Sequence, residues 1–214
     1  MVAYKETITR KTRCEGKYIH QTGGRGQYGH VILELEPLDP GAGFVWETKV
    51  STTRVPRDYW PDTHSGVEES LTSGPLAGYP VIDIKVSLID GSLHDEDSIG
   101  LAYKIAASKA MRDGMDQARP MLKEPVMDVE IVTPEDYMGD IINDINARRG
   151  KPTNMEPGRG NVQVVRAHIP LAELFGYATD LRSRTQGRAT YTMEFAEYRE
   201  VPEDMQDVLL GKIA

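Results

Sequence analysis

The feature that most constrains the fold of this chain is the stretch Gly23–His30, in which four glycines surround Arg25 and Gln27. The segment Gly24–Gly29 fits the dinucleotide-binding pattern G-x-G-x-x-G, but that pattern must lead into a helix that opens on the phosphates. Here it leads into Val31–Pro37, a run of β type that ends at proline, so no helix N-terminus is available to hold a pyrophosphate. The sequence instead predicts a hairpin whose exposed loop contacts a phosphate-rich surface. An ordinary turn, in which glycine supplies the positive φ, is an equally good interpretation.

Length and composition place the chain among globular proteins of more than one domain. It has 214 residues, of which 27% are charged and 39% hydrophobic, and this size predicts two domains. No run approaches the roughly 18 consecutive apolar residues of a membrane span, and no secretory signal is visible. The single cysteine, Cys14, cannot form an internal disulfide and is expected to be a small residue of a strand. A cytoplasmic monomer is therefore expected.

The net charge of −8 argues against nucleic-acid binding, because such binding depends on lysine and arginine contacts to phosphates. The basic residues are nevertheless clustered, and acidic residues gather elsewhere, notably in the tail from Glu197 to Asp207. The basic clusters are Lys5, Arg10, Lys11, Arg13, Lys17 and Arg25, then Arg148, Arg149, Lys151 and Arg159, then Arg166, Arg182, Arg184 and Arg188. This distribution predicts docking on RNA in one orientation, with a set of solvated charged faces as the alternative.

The first half of the chain alternates strand patterns with breakers. Strands are predicted over 6–21 and 30–36, on either side of the glycine loop, and another begins at Phe44. The proline- and glycine-punctuated segment 56–79 leaves room for a short helix over 67–71, and a strand over 81–88 is expected to turn at Asp90-Gly91. A helix capped by Asp97 or Ser98 follows, with one apolar face made of Ala102, Ile105, Ala106 and Ala110.

The second half reads strand, helix, strand, strand, helix, strand. A strand opens at Pro125, a helix has Pro134 in its first turn, and two strands lie across Pro157–Gly160. A helix from Leu171 to about residue 183 and a strand over 189–198 complete a βαββαβ order, which is typical of the ferredoxin-like fold. The tail from Pro202 predicts a helix that packs back on the body, with Met205, Val208, Leu209 and Ile213 near helical spacing. The fold class is therefore α+β, with domains over 1–121 and 122–200 and a terminal helix over 201–214.

Catalytic and metal chemistry find little support in the sequence. No phosphate loop of the type G-x-x-x-x-G-K-[ST] and no G-x-S-x-G elbow occurs. His94 is followed by Asp95, Glu96 and Asp97, but the remaining ligands of a metal site are not supplied at any known spacing. Capping and solvation explain these carboxylates, while His94 is available to hydrogen-bond to or stack on a base. A binding module is favoured over an enzyme, and an enzyme that uses the glycine loop for a phosphorylated ligand remains a minor alternative.

Four long motifs resemble translation elongation factor G. They are Gln21–His30, Gly74–Pro80, Thr133–Asp140, and Leu174–Ser183 followed by Gln186–Arg188. The resemblance runs from about Val2 to the tail and covers only the fourth and fifth domains of that factor. It implies that the GTPase half is missing, together with the GTP and Mg²⁺ expected there, and that this chain itself holds no cofactor and no metal.

The resemblance also implies a role. The family uses GTP to move tRNA and mRNA through the ribosome, and its fourth domain is an elongated arm with an S5-type βαβ fold whose tip enters the decoding centre. The tip residues implied here are Gln21, Gly23, Gly24, Arg25, Gly26, Gln27, His94, Asp95 and Asp97. A second surface, toward large-subunit rRNA near the GTPase centre, is implied for Arg148, Arg149, Arg182 and Arg184, although an arginine at a helix end is often only a dipole partner.

Three departures from the family pattern leave the exact relative open. Thr52-Thr53 replaces the usual glycine pair, Trp60 and His64 lie in a segment that is normally more aliphatic, and Ile99-Gly100 replaces a polar pair. Gly100 near a helix start is expected to delay the helix or let it flex, at about 1 kcal/mol relative to alanine. The parent is thus either the translocase or a paralogue for ribosome recycling or tetracycline ribosomal protection. A stand-alone RNA-binding module is the alternative from another class.

Overall fold

The computed structural model describes residues 2–21 and 23–211, so the predicted positions Thr22 and Ile213 lie outside the described residues. Residues 4–123 and 200–211 form one compact unit, called the first unit below. Residues 2–3 and 124–199 form the second unit. Within the described ranges, no helix is both long enough and apolar enough to span a membrane.

The first unit is built on a sheet with two helices against it. Its strands are β1 (Lys5–Ile8), β2 (Thr12–His20), β3 (Gln27–Pro37), β4 (Phe44–Thr48) and β5 (Ile84–Ser92), and its main helices are α1 (Trp60–Ser70) and α2 (Gly100–Gln117). Four strands pair in the order β2-β3-β5-β4. Strands β4 and β5 are parallel and are connected through α1, while the other two pairs are antiparallel. This is the βαβ arrangement expected for an S5-type arm, and Cys14 is buried in β2 as predicted.

Helix α2 lies very close to the hairpin β2–β3 because glycines face it. A Cβ on Gly16 would come within 1.8 Å of the Ala106 carbonyl oxygen, and one on Gly29 within 2.3 Å of the Ala102 carbonyl. Ala102, Ala106 and Ala110 are buried, as the helical pattern predicts, while Ile105 is only partly buried. Small residues on both sides let the backbones approach, so the glycines of β2 and β3 serve packing as well as the turn.

The start of α2 differs from the prediction. Ile99 is the N-cap residue and makes no side-chain capping bond, because Asp97 and Ser98 are used to hold the preceding loop. The helix begins at Gly100 itself, and a Cβ there would lie 2.0 Å from Oδ2 of Asp62. Glycine therefore does not delay the helix; it makes room for a carboxylate beside the positive end of the helix dipole.

One other local prediction was wrong, and one helix was predicted too short. Asp90-Gly91 does not turn the chain but lies inside β5, opposite a register shift between Ile32 and Leu33 of β3. The helix predicted over 67–71 extends back to Trp60, with a 3-10 turn over 57–59 before it. Pro61 counts as a breaker in the sequence pattern, but proline is well suited to the first helical turn, where its missing N–H costs no hydrogen bond.

The second unit confirms the ferredoxin-like order. Its elements are β6 (Pro120–Pro134, in this unit from residue 124), α3 (Met138–Ala147), β7 (Lys151–Pro157), β8 (Val162–Pro170), α4 (Tyr177–Arg184) and β9 (Thr190–Glu200). The strand order is β9-β6-β8-β7, and the buried faces of α3 and α4 pack on Val129, Ile131, Val165, Ala167 and Ile169.

Some boundaries in this part of the chain differ from the sequence pattern. Strand β6 starts at Pro120 rather than Pro125, and α4 starts at Tyr177 after a 3-10 turn over 171–173. The delayed start of α4 follows from Gly176, which adopts a left-handed conformation with φ of 76° directly before the helix. The tail forms α5 (Glu203–Leu209) in the first unit.

Candidate functional site

Two loops that are distant in sequence meet at the far end of the hairpin β2–β3. The backbone N–H of Gly26 donates to Oδ1 of Asp97 at 2.9 Å, and the N–H of Tyr28 donates to the Asp97 carbonyl at 2.7 Å. The guanidinium Nε of Arg25 donates to the carbonyl of Glu96 at 3.0 Å. The structure thus brings together the segments 21–27 and 93–97 that were expected to form one tip, and this pair of loops is called the tip below.

The tip glycines have different roles. Gly26 is buried, and a Cβ there would lie 2.7 Å from Cγ of Asp97, so its lack of a side chain permits the contact between the loops. Gly23 has φ of +50° with no described atom near its missing Cβ, so it supplies the turn. Gly24 and Gln21 are exposed, and Gln27 is partly exposed in β3. The backbone accessible to a ligand is therefore that of 23–25 rather than that of Gly26.

His94 is held at the tip but remains accessible. Its backbone N–H donates to Oγ of Ser98 at 2.9 Å, and its ring Nδ1 lies 3.4 Å from Oδ2 of Asp97. The ring centroid is 5.6 Å from that of Tyr28, and 52% of the side chain is exposed. Asp95, in the same loop, is exposed. The arrangement orients one edge of the imidazole while leaving the other free to bind.

A chain of hydrogen-bonded side chains supports the tip from the open face of the sheet. Oη of Tyr28 lies 2.6 Å from Oγ of Ser92, which lies 2.6 Å from Nδ1 of His30. Nε2 of His30 in turn lies 2.6 Å from Oε1 of Glu15. Sequence reasoning missed this group, since alternation along β2 and β3 puts Glu15 and His30 on one face but gives no register for Ser92 of β5.

The charge at the tip is mixed. Lys17 lies over the Tyr28 ring at 5.7 Å and Arg25 is exposed, while Asp95, Glu96 and Asp97 supply carboxylates. Within residues 2–21 and 23–211, no group of three or more His, Cys, Asp or Glu side chains is placed to hold a metal ion. The groups present are suited to hydrogen bonding and ring contact.

Arg148 and Arg149 of the proposed second surface are engaged within their own unit. Arg148 bonds to Asp144 at 3.0 Å and to Asp180 at 2.6 Å, and its side chain is only 13% exposed. Arg149 forms two bonds to Glu124, at 2.7 and 3.0 Å, and these hydrogen bonds raise its pKa above the usual value. Both arginines therefore contribute to the internal ion-pair network of the second unit.

Arg182 and Arg184 lie on helix α4 and are more accessible. Arg182 is exposed, and no side-chain partner for it is found among the described residues. The side chain of Arg184 is 49% exposed, and its Nη2 lies 3.3 Å from Oδ1 of Asp144. Of the four arginines, Arg182 is the one most available to a phosphate.

Family comparison covers nearly the whole chain. The sequence model of elongation factor G, domain IV, matches residues 1–119, and that of the elongation factor G C-terminus matches residues 121–209. This chain belongs to the elongation factor G family. A solved crystal structure of a protein from Thermus thermophilus is similar at 38% identity with a TM-score of 0.90, covering 99% of this chain.

The chain spans 32% of the length of that Thermus thermophilus relative. The two matched parts of the family do not contain its GTPase site, so the chain is not itself the catalytic domain.

Two of the positions that depart from the family pattern, Trp60 and His64, have structural partners in the first unit. The indole N–H of Trp60 donates to the Val55 carbonyl at 3.0 Å. The ring of His64 lies 5.9 Å from that of Phe44 and 5.1 Å from that of Trp46, which fills the space between α1 and β4. These contacts explain the side chains as packing and do not distinguish a translocase from a paralogue.

Proposed function

We propose that this chain is the ribosome-contacting C-terminal part of a translational GTPase that promotes GTP-dependent translocation of tRNA and mRNA. The observation that carries the proposal is the tip: in a chain of this family, two loops are joined by the hydrogen bond from Gly26 to Asp97, which lie 71 positions apart in sequence. This bond, together with that from the Tyr28 N–H to the Asp97 carbonyl, joins the two loops into one surface.

The chemistry of the tip suits contact with RNA. Exposed backbone at 23–25 can approach a sugar-phosphate chain closely, and Arg25 supplies a guanidinium for a phosphate. Gln21, Gln27 and the free edge of His94 can hydrogen-bond to ribose or to a base edge. We therefore assign the tip to the decoding centre of the small subunit, as the family resemblance implies.

The remaining parts of the proposal concern the longer protein and the second unit. GTP and Mg²⁺ would bind in a part of the protein outside this sequence. The domains would be the arm over 1–121, the ferredoxin-like domain over 122–200 and the terminal helix over 201–214. The second RNA contact, to large-subunit rRNA, would be made by Arg182 and Arg184. Arg148 would hold α4 through Asp180, and Arg149 would hold the preceding turn through Glu173.

The test is chemical probing of ribosomal RNA with the purified chain at low salt, with a deletion of Gly23–Gln27 in parallel. We expect protection in the decoding centre that the deletion abolishes and that Arg25→Ala weakens modestly. Arg10→Ala is a matched control, because Arg10 is also an exposed arginine but lies before the opposite end of β2, about 30 Å away along nine residues of strand. It should leave the protection unchanged.

Two other results would contradict the proposal. Protection that survives the deletion would remove the tip from the site. Protection confined to regions outside the decoding centre would favour a paralogue with another task. In the longer parent, His94→Ala should slow translocation with little effect on GTP hydrolysis, and equal loss of both would refute a tip role for His94.

A further inference from the structure

The outer edge of the first unit carries aromatic and basic side chains that the tip does not use. Strand β2 is the edge of its sheet, and the rings of Tyr18 and His20 lie along it with centroids 6.2 Å apart and planes within 17°. His20 is exposed and Tyr18 is partly exposed. Lys109, from helix α2, places its Nζ over the Tyr18 ring at 5.2 Å.

The position of Lys109 is defined by the fold. It is exposed, and its Nζ lies 3.5 Å from the carbonyl of Lys17, a residue 92 positions away in the chain. Leu101 and Ile105 precede it at intervals of four, so they share its face of α2, and Leu101 is 55% exposed. The edge of β2 is therefore flanked by an exposed apolar and basic helix face.

Tyr18 and His20 lie directly next to the tip. His20 is followed by Gln21, the first tip residue, and Tyr18 lies two residues before His20, about 7 Å back along the strand. The nearest acidic residue on the same helix, Asp113, is one turn beyond Lys109 on the side away from the start of α2. Lys109 thus places a positive charge, and Tyr18 and His20 place aromatic rings, next to the proposed RNA contact, in a protein whose net charge is −8.

We infer that Lys109, Tyr18 and His20 form a contact surface for single-stranded RNA that is continuous with the tip, called the edge surface below. Tyr18 packs against the core and positions its two neighbours, the Lys109 ammonium and the exposed His20 ring. These two groups match the two elements of a single strand, since a phosphate meets the charge and a base stacks on the ring. This surface rests on the proposed function and extends it, because an RNA strand engaged at the tip would reach this edge within one or two nucleotides.

The experiment measures binding of the 214-residue chain to a labelled uridine oligonucleotide of about ten nucleotides, by fluorescence anisotropy over a series of salt concentrations. We expect Lys109→Ala to raise Kd about threefold to tenfold and to lower the slope of log K against log salt by about 0.7, as loss of one phosphate contact requires. His20→Ala, which removes a stacking ring and no phosphate contact, should raise Kd about fivefold with the slope unchanged.

The matched control is Lys104→Ala. Lys104 is on the same helix, but its Nζ is paired with Glu69 at 2.6 Å on the side of α1, so Kd and slope should not change. An equal loss of affinity in the Lys104 and Lys109 variants would mean that the effect comes from net charge alone, and it would overturn the inference. Absence of binding by the unaltered chain at low salt would overturn it as well.

Arg25→Ala, measured in parallel, separates this inference from the proposed function. If Arg25→Ala weakens oligonucleotide binding and Lys109→Ala does not, the edge surface is refuted while the tip stands. If only Lys109→Ala weakens binding, the edge surface stands and the tip assignment fails in this assay. If Lys109→Ala weakens binding to ribosomes but not to the oligonucleotide, the partner is not single-stranded RNA and this inference is wrong.

Discussion

The loop Gly74–Pro80 depends on one buried carboxylate, that of Glu6 in strand β1. Glu6 is fully buried, and its Oε2 accepts the N–H of Leu76 at 2.9 Å. Oε1 accepts the N–H groups of Ala77 and Tyr79 at 2.9 and 3.1 Å. A Cβ on Gly74 would lie 2.2 Å from Oε2, so glycine is needed there for the carboxylate to fit. We therefore expect substitution of Glu6 to destabilise the first unit strongly.

The size of the effect follows from these bonds. In Glu6→Gln the amide oxygen can keep the place of Oε1, but the NH2 group then faces the N–H of Leu76, donor to donor. One buried N–H left unpaired costs about 1–3 kcal/mol, and the two remaining bonds lose their charge assistance at about 0.5–1 kcal/mol each. The expected loss in free energy of unfolding is about 3 kcal/mol for Glu6→Gln. It is about 5 kcal/mol for Glu6→Ala, which leaves all three groups unpaired.

Denaturant unfolding followed by tryptophan fluorescence measures this loss, because both tryptophans, Trp46 and Trp60, lie in the first unit. Amide hydrogen exchange should in addition show faster exchange at Leu76, Ala77 and Tyr79 than at the rest of the unit. Glu36→Gln is the control, since Glu36 forms only surface ion pairs and its loss is expected to cost less than about 1 kcal/mol. If Glu6→Gln costs no more than the control and the three amides exchange as before, the assignment of Glu6 as the anchor of this loop is wrong.

Three further predictions concern packing and ionisation. In urea unfolding, Gly29→Ala should destabilise the first unit by about 3 kcal/mol, because its Cβ would collide with the backbone of α2. Gly139→Ala in α3 is the control, since there is open space at its Cβ among the described atoms, and it should be neutral or stabilising. Burial raises the pKa of the Cys14 thiol to about 12, so iodoacetamide at about pH 8 should modify it only after unfolding; rapid modification of the folded chain would contradict the buried position. A hydrogen bond from Arg54 lowers the pKa of Asp90, so the stability that this pair contributes is present above about pH 4 and is lost as the pH falls through the lowered value. The difference in unfolding free energy between the unaltered chain and Asp90→Asn should therefore vanish in acid, and a difference that grows in acid would refute the pairing.

Local patterns predicted the order of elements well. Alternation and breakers were enough for the hairpin, for the buried alanine face of α2 and for the βαββαβ order of the second unit, because side-chain period and turn residues act over a few positions. Local patterns predicted the wrong structure where the same residue type occurs in two kinds of local structure. Pro61 reads equally as a breaker or as a first-turn residue, and Asp90-Gly91 reads equally as a turn or as part of an irregular strand.

For the candidate site, the sequence identified the two loops but not what joins them. Gly26 is buried against Asp97 and bonds to its carboxylate. This contact depends on the register of β3 and on where α2 begins. Arg148 has a local carboxylate partner in Asp144, four positions earlier, but Asp180 becomes its neighbour only when α3 and α4 lie on the same sheet face. Arg182, which also lies near the end of a helix, remains exposed.

By itself, then, the sequence determined the family, the α+β class and the position of the tip along the chain, because long motifs and short-range periodicity are properties of consecutive residues. The tertiary structure decided which polar groups are paired within the fold and which are available to a ligand, from the carboxylate of Glu6 to the ammonium of Lys109. Those outcomes depend on contacts between residues 70 to 92 positions apart, and such contacts are set by sheet register and helix packing rather than by local pattern.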